Sequence, residues 1–269
     1  MSHPDTIAAP DRQLTVEGVS KSFGGVQVLT DIGFSVPVSG LSGLIGPNGA
    51  GKSTLFSVVS GFQPGDAGRV SFAGRDLSRM GPVERVRAGL GRTFQVPRVF
   101  GSLSVRQNLA AAAPGQAGET LAGVFFRGAR IRRQEAEIAA RADGILEFLN
   151  LTRVADKPAG GLSGGQRKLL ELGRALMVRP KMILLDEPFA GVNPVLIEEI
   201  ADRIRAIRET GVDGSGGIGF LIVEHNLPSL SALVERMIVI DRGRLLAQGT
   251  PQAVLADARV REAYMGGAV

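Results

Sequence analysis

Gly46-Pro47-Asn48-Gly49-Ala50-Gly51-Lys52-Ser53-Thr54 decides the architecture of this chain. The segment satisfies G-x-x-x-x-G-K-[ST] without a mismatch. Leu41–Ile45 before it reads as a short buried strand, and Lys52–Ser60 after it as a helix closed by Gly61. A strand, a glycine-rich turn and a helix form the context in which this pattern holds phosphate. Its glycines let the main chain wrap closely, so that successive N–H groups face phosphate oxygens. The helix start near Lys52 adds the positive end of its dipole. Lys52 is placed to reach the β- and γ-phosphates, and the Ser53 hydroxyl to ligate Mg²⁺. The motif alone implies a nucleoside triphosphate and nothing narrower.

A second acidic element lies far downstream. Met182-Ile183-Leu184-Leu185-Asp186-Glu187-Pro188 is an apolar strand ending in two carboxylates. In an open parallel sheet, ligands lie beyond the C-terminal strand ends, so both acids can face the phosphate site. Asp186 is placed to hold Mg²⁺, directly or through water. Glu187 is the candidate base for the attacking water. Glu224 and His225 end the apolar run Phe220–Val223 in the same way. From these residues alone, His225 reads as either a structural histidine or a polarisable group beside the γ-phosphate.

Around these elements the pattern changes twice. Leu14–Phe23 and Gln27–Val38 alternate apolar and polar positions as half-buried strands do, and Gly68–Gly74 adds another short strand. From about Gln95 to Gly161 the apolar positions take helical spacing, with Ile138, Ala142, Ile145, Leu146 and Leu149 on one face. Strands and helices then alternate: Met182–Leu185, the helix Pro194–Glu209, Phe220–Val223, the helix Pro228–Val234 and Met237–Ile240. This repetition predicts a parallel sheet covered on both faces. Leu245–Gln248 returns as a hairpin, and the glycine-dense Gly211–Gly219 reads as a loop.

Composition excludes several classes. With no cysteine in 269 residues there are no disulfides and no zinc–thiolate sites. No run approaches the ~18 apolar residues of a membrane span. Residues 1–12 lack an apolar core and read as a flexible tail, not a secretory signal. The net charge of +5 fits an ordinary soluble surface or an anionic partner. Aromatics at 5% without basic–aromatic stacking disfavour nucleic acid.

Leu162-Ser163-Gly164-Gly165-Gln166 narrows the class. With it, the chain resembles the ATP-binding subunits of ABC transporters over roughly Leu14 to Gly249. Physically, Ser163 can cap a helix whose first N–H groups Gly164 and Gly165 leave open, a second anion-binding terminus. The resemblance implies an α/β fold: a P-loop NTPase core with a mixed sheet, an N-terminal antiparallel β subdomain and an inserted α-helical subdomain. The ATP-binding domain is expected over 13–255, with the helical part at about 96–162 and a C-terminal tail at 256–269.

The resemblance also implies roles. Two subunits meet head-to-tail, and Ser163, Gly164, Gly165 and Gln166 of one cover the ATP held by Gly46–Thr54 of the other. Phe23 corresponds to the aromatic that stacks on adenine, although a core Phe fits its sequence context nearly as well. Gln95 corresponds to the residue that senses Mg²⁺ and the γ-phosphate. Asp186 takes the metal role, Glu187 that of the catalytic base, and His225 matches the switch histidine. ATP and Mg²⁺ are the expected cofactors. A second ATP-binding subunit and two transmembrane permeases are the expected partners, with an extracytoplasmic solute-binding protein acting indirectly. The expected location is the cytoplasmic face of the inner membrane.

One position departs from the family. Where the common pattern is S-x-L-D, this chain has Ala190-Gly191-Val192-Asn193, followed by Pro194. Asn193 keeps hydrogen-bonding capacity but brings no charge. That segment, with Arg92-Thr93-Phe94-Gln95, Val99-Phe100, Val105–Leu109 and the ending Glu262-Ala263-Tyr264-Met265-Gly266, resembles the branched-chain amino-acid uptake ATPases, a subgroup that also serves urea and short amides. The alternatives are a lipid- or lipopolysaccharide-exporting ATPase and a soluble, non-transport ABC ATPase. Phe125, Phe126, Arg127, Arg130, Arg132 and Arg133 read either as a solvated helix with buried phenylalanines or as a contact for the permease or anionic headgroups.

Overall fold

The computed structural model describes residues 12–94, 98–116, 128–212, 214 and 216–265. Its first part is an antiparallel sheet in the order β2-β1-β4-β5, from β1 (Gln13–Phe23), β2 (Val26–Pro37), β4 (Ala67–Phe72) and β5 (Arg75–Asp76). The second sheet runs β10-β9-β3-β8-β7-β6, with β3 (Leu41–Ile45), β6 (Leu90–Arg92), β7 (Met182–Asp186), β8 (Gly219–Val223), β9 (Arg236–Asp241) and β10 (Arg244–Gly249). All its pairings are parallel except β9 with β10. It is therefore a mixed sheet, and β10 is the return strand of the expected hairpin.

Strand register explains why distant residues meet. Leu44 pairs with Val223, and Val223 with Asp186, so β8 and β7 end level and β3 runs one residue further, to Ile45. The residues just past those ends, Gly46, Glu224 and Glu187, therefore share one edge of the sheet. Side chains alternate between faces along each strand. Leu44, Leu184, Leu221, Val223 and Ile238 enter one core with the antiparallel sheet and helix α1 (Lys52–Val59). Ile45, Ile183, Leu185, Ile222 and Val239 enter a second core on the other face.

That second core continues without a break into the helices. α3 (Val105–Ala110), α4 (Gly128–Phe148) and α5 (Gly164–Met177) contribute Val105, Leu109, Ile145, Leu146 and Leu170 to it. The helices pack so closely that a Cβ on Gly173 would lie 2.9 Å from Leu109 and 3.0 Å from Leu149. α6 (Pro194–Thr210) and α7 (Leu227–Leu233) cover the same face, while the short α2 (Pro82–Arg87) precedes β6. Beyond the hairpin, α8 (Pro251–Ala256) and α9 (Ala258–Met265) follow. The stretch read as a tail thus contains a helix, with Val260 buried in the core and Tyr264 against it. Phe125, Phe126 and Arg127 lie outside the described residues.

Candidate nucleotide site

The phosphate loop is held by main-chain bonds from both sides. Ala50 N–H donates to the Pro47 carbonyl, and Gly243 N–H, from the β9–β10 turn, donates to the Ala50 carbonyl. Gly51 takes φ 100°, a conformation open to glycine, and no side chain caps the helix it starts. A Cβ on Gly46 would stand 2.1 Å from the Ile240 carbonyl oxygen, so only glycine fits there. Lys52 is buried and donates to the carbonyls of Gly46 and Pro47 at 2.7 and 2.9 Å. Burial lowers its pKa, and Glu187 opposes that shift.

An open cleft of 340 Å³ adjoins the loop, lined by Asn48, Gly49, Ala50, Gly51, Lys52, Ser53, Thr54, Val28, Glu187 and His225. The structure thus brings Glu187 and His225 to the loop, as the strand ends predict. His225 Nε2 lies 2.8 Å from Glu187 Oε1. Glu187 itself sits at φ 49°, in the left-handed region that non-glycine residues avoid. Its N–H donates to the Val223 carbonyl, and its own carbonyl accepts from Lys168 Nζ at 2.8 Å. Strain of this kind persists where surrounding bonds fix it.

Asp186 stands behind this cleft, not in its lining. It is buried, and its Oδ2 accepts from Arg92 Nη2 at 3.1 Å. Arg92 in turn donates to Ser60 Oγ and lies 5.7, 5.3 and 5.6 Å from the ring centroids of Phe56, Phe62 and Phe94. Burial raises the pKa of Asp186, and Arg92 counters it. Glu224 is also buried with a raised pKa, and its carboxylate accepts from the N–H groups of Phe189, His225 and Asn226. It therefore shapes the turns that carry Glu187 and His225.

The other expected residues fall elsewhere. Among the described residues, none of Ser163, Gly164, Gly165 and Gln166 lines the loop cleft. Ser163 caps α5: its Oγ accepts from Gln166 N–H, and Gln166 Oε1 accepts from Ser163 N–H. Gly164 faces open space, whereas a Cβ on Gly165 would collide with Leu196 of α6 at 1.6 Å. Phe23 is 44% exposed at the β1–β2 turn, with the Lys21 ammonium 5.3 Å from its ring centroid. Gln95 lies outside the described residues. Sequence reasoning quoted Arg92 and Thr93 only for their resemblance and gave no site role to them, to Lys168 or to Glu171. Buried Glu171 accepts from Phe94 N–H at 2.7 Å, and Thr93 Oγ1 accepts from Asp186 N–H.

A phosphate loop, an acid–histidine pair facing it and a sheet that sets both at one edge define a nucleoside triphosphatase cassette. Residues 29–190 match the ABC transporter family, and residues 244–269 match the family described as branched-chain amino acid ATP-binding cassette transporter. The chain belongs to the ABC transporter family, as an ATP-binding subunit that hydrolyses ATP and associates with transmembrane permease components. It is 38% identical to the "Probable branched-chain amino acid transport ATP-binding protein LivG" of Methanocaldococcus jannaschii, over 94% of this chain and 97% of that one. To the "Lipopolysaccharide export system ATP-binding protein LptB" of Escherichia coli K12 it is 36% identical, over 94% and 97%. A crystal structure of the ADP conformation of an ATP-binding cassette of an ABC transporter superposes with TM-score 0.80 at 38% identity, covering 95% of this chain and 99% of that one.

Proposed function

We propose that this chain energises uptake of branched-chain amino acids or related small polar solutes. The observation that carries this reading is the match of its last strand and helices, residues 244–269, to the branched-chain amino acid cassette family. The LivG relative supports it. We place the chain peripherally on the cytoplasmic face of the inner membrane, paired with a second ATP-binding subunit beneath two permeases, with a solute-binding protein on the far side. No helix among the described residues is long and apolar enough to cross a membrane. Residues 13–255 serve as the ATP-binding domain in this reading, with 96–162 as its helical insertion.

In that assembly Lys52 and the N–H groups of the loop hold the triphosphate. Glu187 orients the attacking water and takes its proton, while His225 fixes the carboxylate through their 2.8 Å contact. Gln95 senses the γ-phosphate, Phe23 stacks on adenine from its exposed turn, and Ser163 to Gln166 cover the partner's nucleotide. Ser53 and Asp186 offer hard oxygen donors, and Mg²⁺ takes one or two such groups beside phosphate and water, so these residues suit it. Bound there, Mg²⁺ would neutralise charge on the phosphates.

Reconstitution with its permease partners tests the transport reading. ATP turnover stimulated by solute-loaded binding protein is the expected result. Stimulation by lipopolysaccharide instead would establish the second reading, which the LptB relative favours. For the chemistry, Glu187→Gln should keep ATP affinity and form a stable dimer. Its turnover should fall about 10²–10⁴-fold, the usual contribution of a general base. Turnover like that of wild type would remove Glu187 from its role.

A further inference from the structure

Helix α5 is joined to two different nucleotide sites. Its first turn, Ser163 to Gln166, would cover the nucleotide of the partner subunit. Five positions on from Ser163, Lys168 turns to this chain's own catalytic edge, where its Nζ donates to the Glu187 carbonyl at 2.8 Å. The same oxygen accepts from Ala190 N–H. Glu187 is thereby held at φ 49° by its N–H on Val223, its carbonyl under Lys168 and its carboxylate against His225. Of the anchors at its amide, its carbonyl and its carboxylate, Lys168 is the one supplied by α5. Lys168 is half-buried, and burial lowers its pKa; Glu171, Glu224, Glu187 and Asp186 act against that shift.

The alternative path between the sites is committed elsewhere. Asn193 replaces the usual aspartate, and its Oδ1 accepts from Leu196 N–H as the cap of α6. Gly165 meanwhile rests directly on Leu196. The first turns of α5 and α6 are thus packed together, and α5 reaches the Glu187 carbonyl directly through the Lys168 side chain.

We propose that Lys168 is a positioning residue that couples the two nucleotide sites, tying the helix that contacts the partner's ATP to the strained backbone of this chain's own base. The proposal rests on the two-subunit arrangement given under the proposed function. It requires only that a small movement of α5 alter the left-handed turn at Glu187, a two-state element that both sites would bias.

ATP-concentration curves of Lys168→Met and Lys168→Arg, measured with the permease present, test it. Wild type should show a Hill coefficient above one. Lys168→Met should lower kcat about tenfold with little change in KM and bring the Hill coefficient to about one, while Lys168→Arg restores both. A wild-type coefficient of one, an unchanged coefficient in Lys168→Met, or failure of Lys168→Arg to restore it would overturn the coupling. Should Lys168→Met prove insoluble, Lys168→Gln is read by the same criteria. ATP-driven dimerisation of Glu187→Gln, followed by size-exclusion chromatography, separates the two ideas. A monomer there removes the two-subunit arrangement itself; a dimer with unaltered cooperativity in the Lys168 variants removes only the coupling.

Discussion

The starts of α1 and α5 are both helix N-termini with glycines, yet they are finished differently. α1 begins at Gly51 in a left-handed conformation with no side-chain cap, so its first N–H groups await an external acceptor. α5 begins at Ser163 with a reciprocal cap between Ser163 and Gln166. The first terminus is built to be completed by phosphate. The second is already satisfied in part by its own chain, and offers Gly164 as an open approach. A terminus that folds unaided can hold its shape while it waits for another subunit.

Four substitutions test this contrast. Lys52→Ala should have the largest effect, lowering ATP turnover about 10²–10³-fold through lost charge stabilisation, with the fold intact by circular dichroism. Next comes the glycine pair. Gly165→Ala must displace Leu196 and should cost about 1–3 kcal/mol in urea unfolding. Gly164→Ala should leave that unfolding curve nearly in place while blocking ATP-driven dimerisation in the Glu187→Gln background. Ser163→Ala should cost about 1 kcal/mol for the lost cap. Denaturation midpoints read all three.

The smallest effect concerns pH. Burial raises the pKa of Glu171 above its ordinary 4.5. The folded state therefore keeps this proton to higher pH than the unfolded chain. Stability falls as pH rises from the ordinary carboxylate range through the raised value. Glu171→Gln retains an acceptor for Phe94 N–H and should flatten that slope in urea titrations between acid and neutral pH. An unchanged slope would show that Glu171 does not contribute to it.

Legibility in the sequence followed the range of the interactions. The loop, both acidic strand ends and the cap at Ser163 were readable because each is a local pattern with a local physical reason. β6 was not: Leu90–Arg92 is three residues long and pairs with β7 alone. Arg92 finds Asp186 across 94 positions, and Glu171 finds Phe94 across 77. No periodicity reports such pairs. A faint signal did exist on α5, where Lys168 and Glu171 stand three apart beside Leu169 and Leu172 on a largely buried face. The C-terminal helix was underread for another reason. Its short run Ala258–Met265 gains its reason to order from docking, with the Tyr264 hydroxyl buried beside the main chain of Gly46 and its pKa pushed up to about 12.

Gly243 carries a consequence for how the molecule comes into being. Its N–H bonds the Ala50 carbonyl, its carbonyl accepts from Thr30 N–H, and a Cβ would strike the Val28 carbonyl at 2.2 Å. Chains emerge from the ribosome N-terminus first, at about 5–20 residues per second. The triphosphate cradle near residue 50 is therefore translated early but fastened late, when a glycine almost two hundred positions onward arrives. Until then a nascent chain has the motif without its clasp.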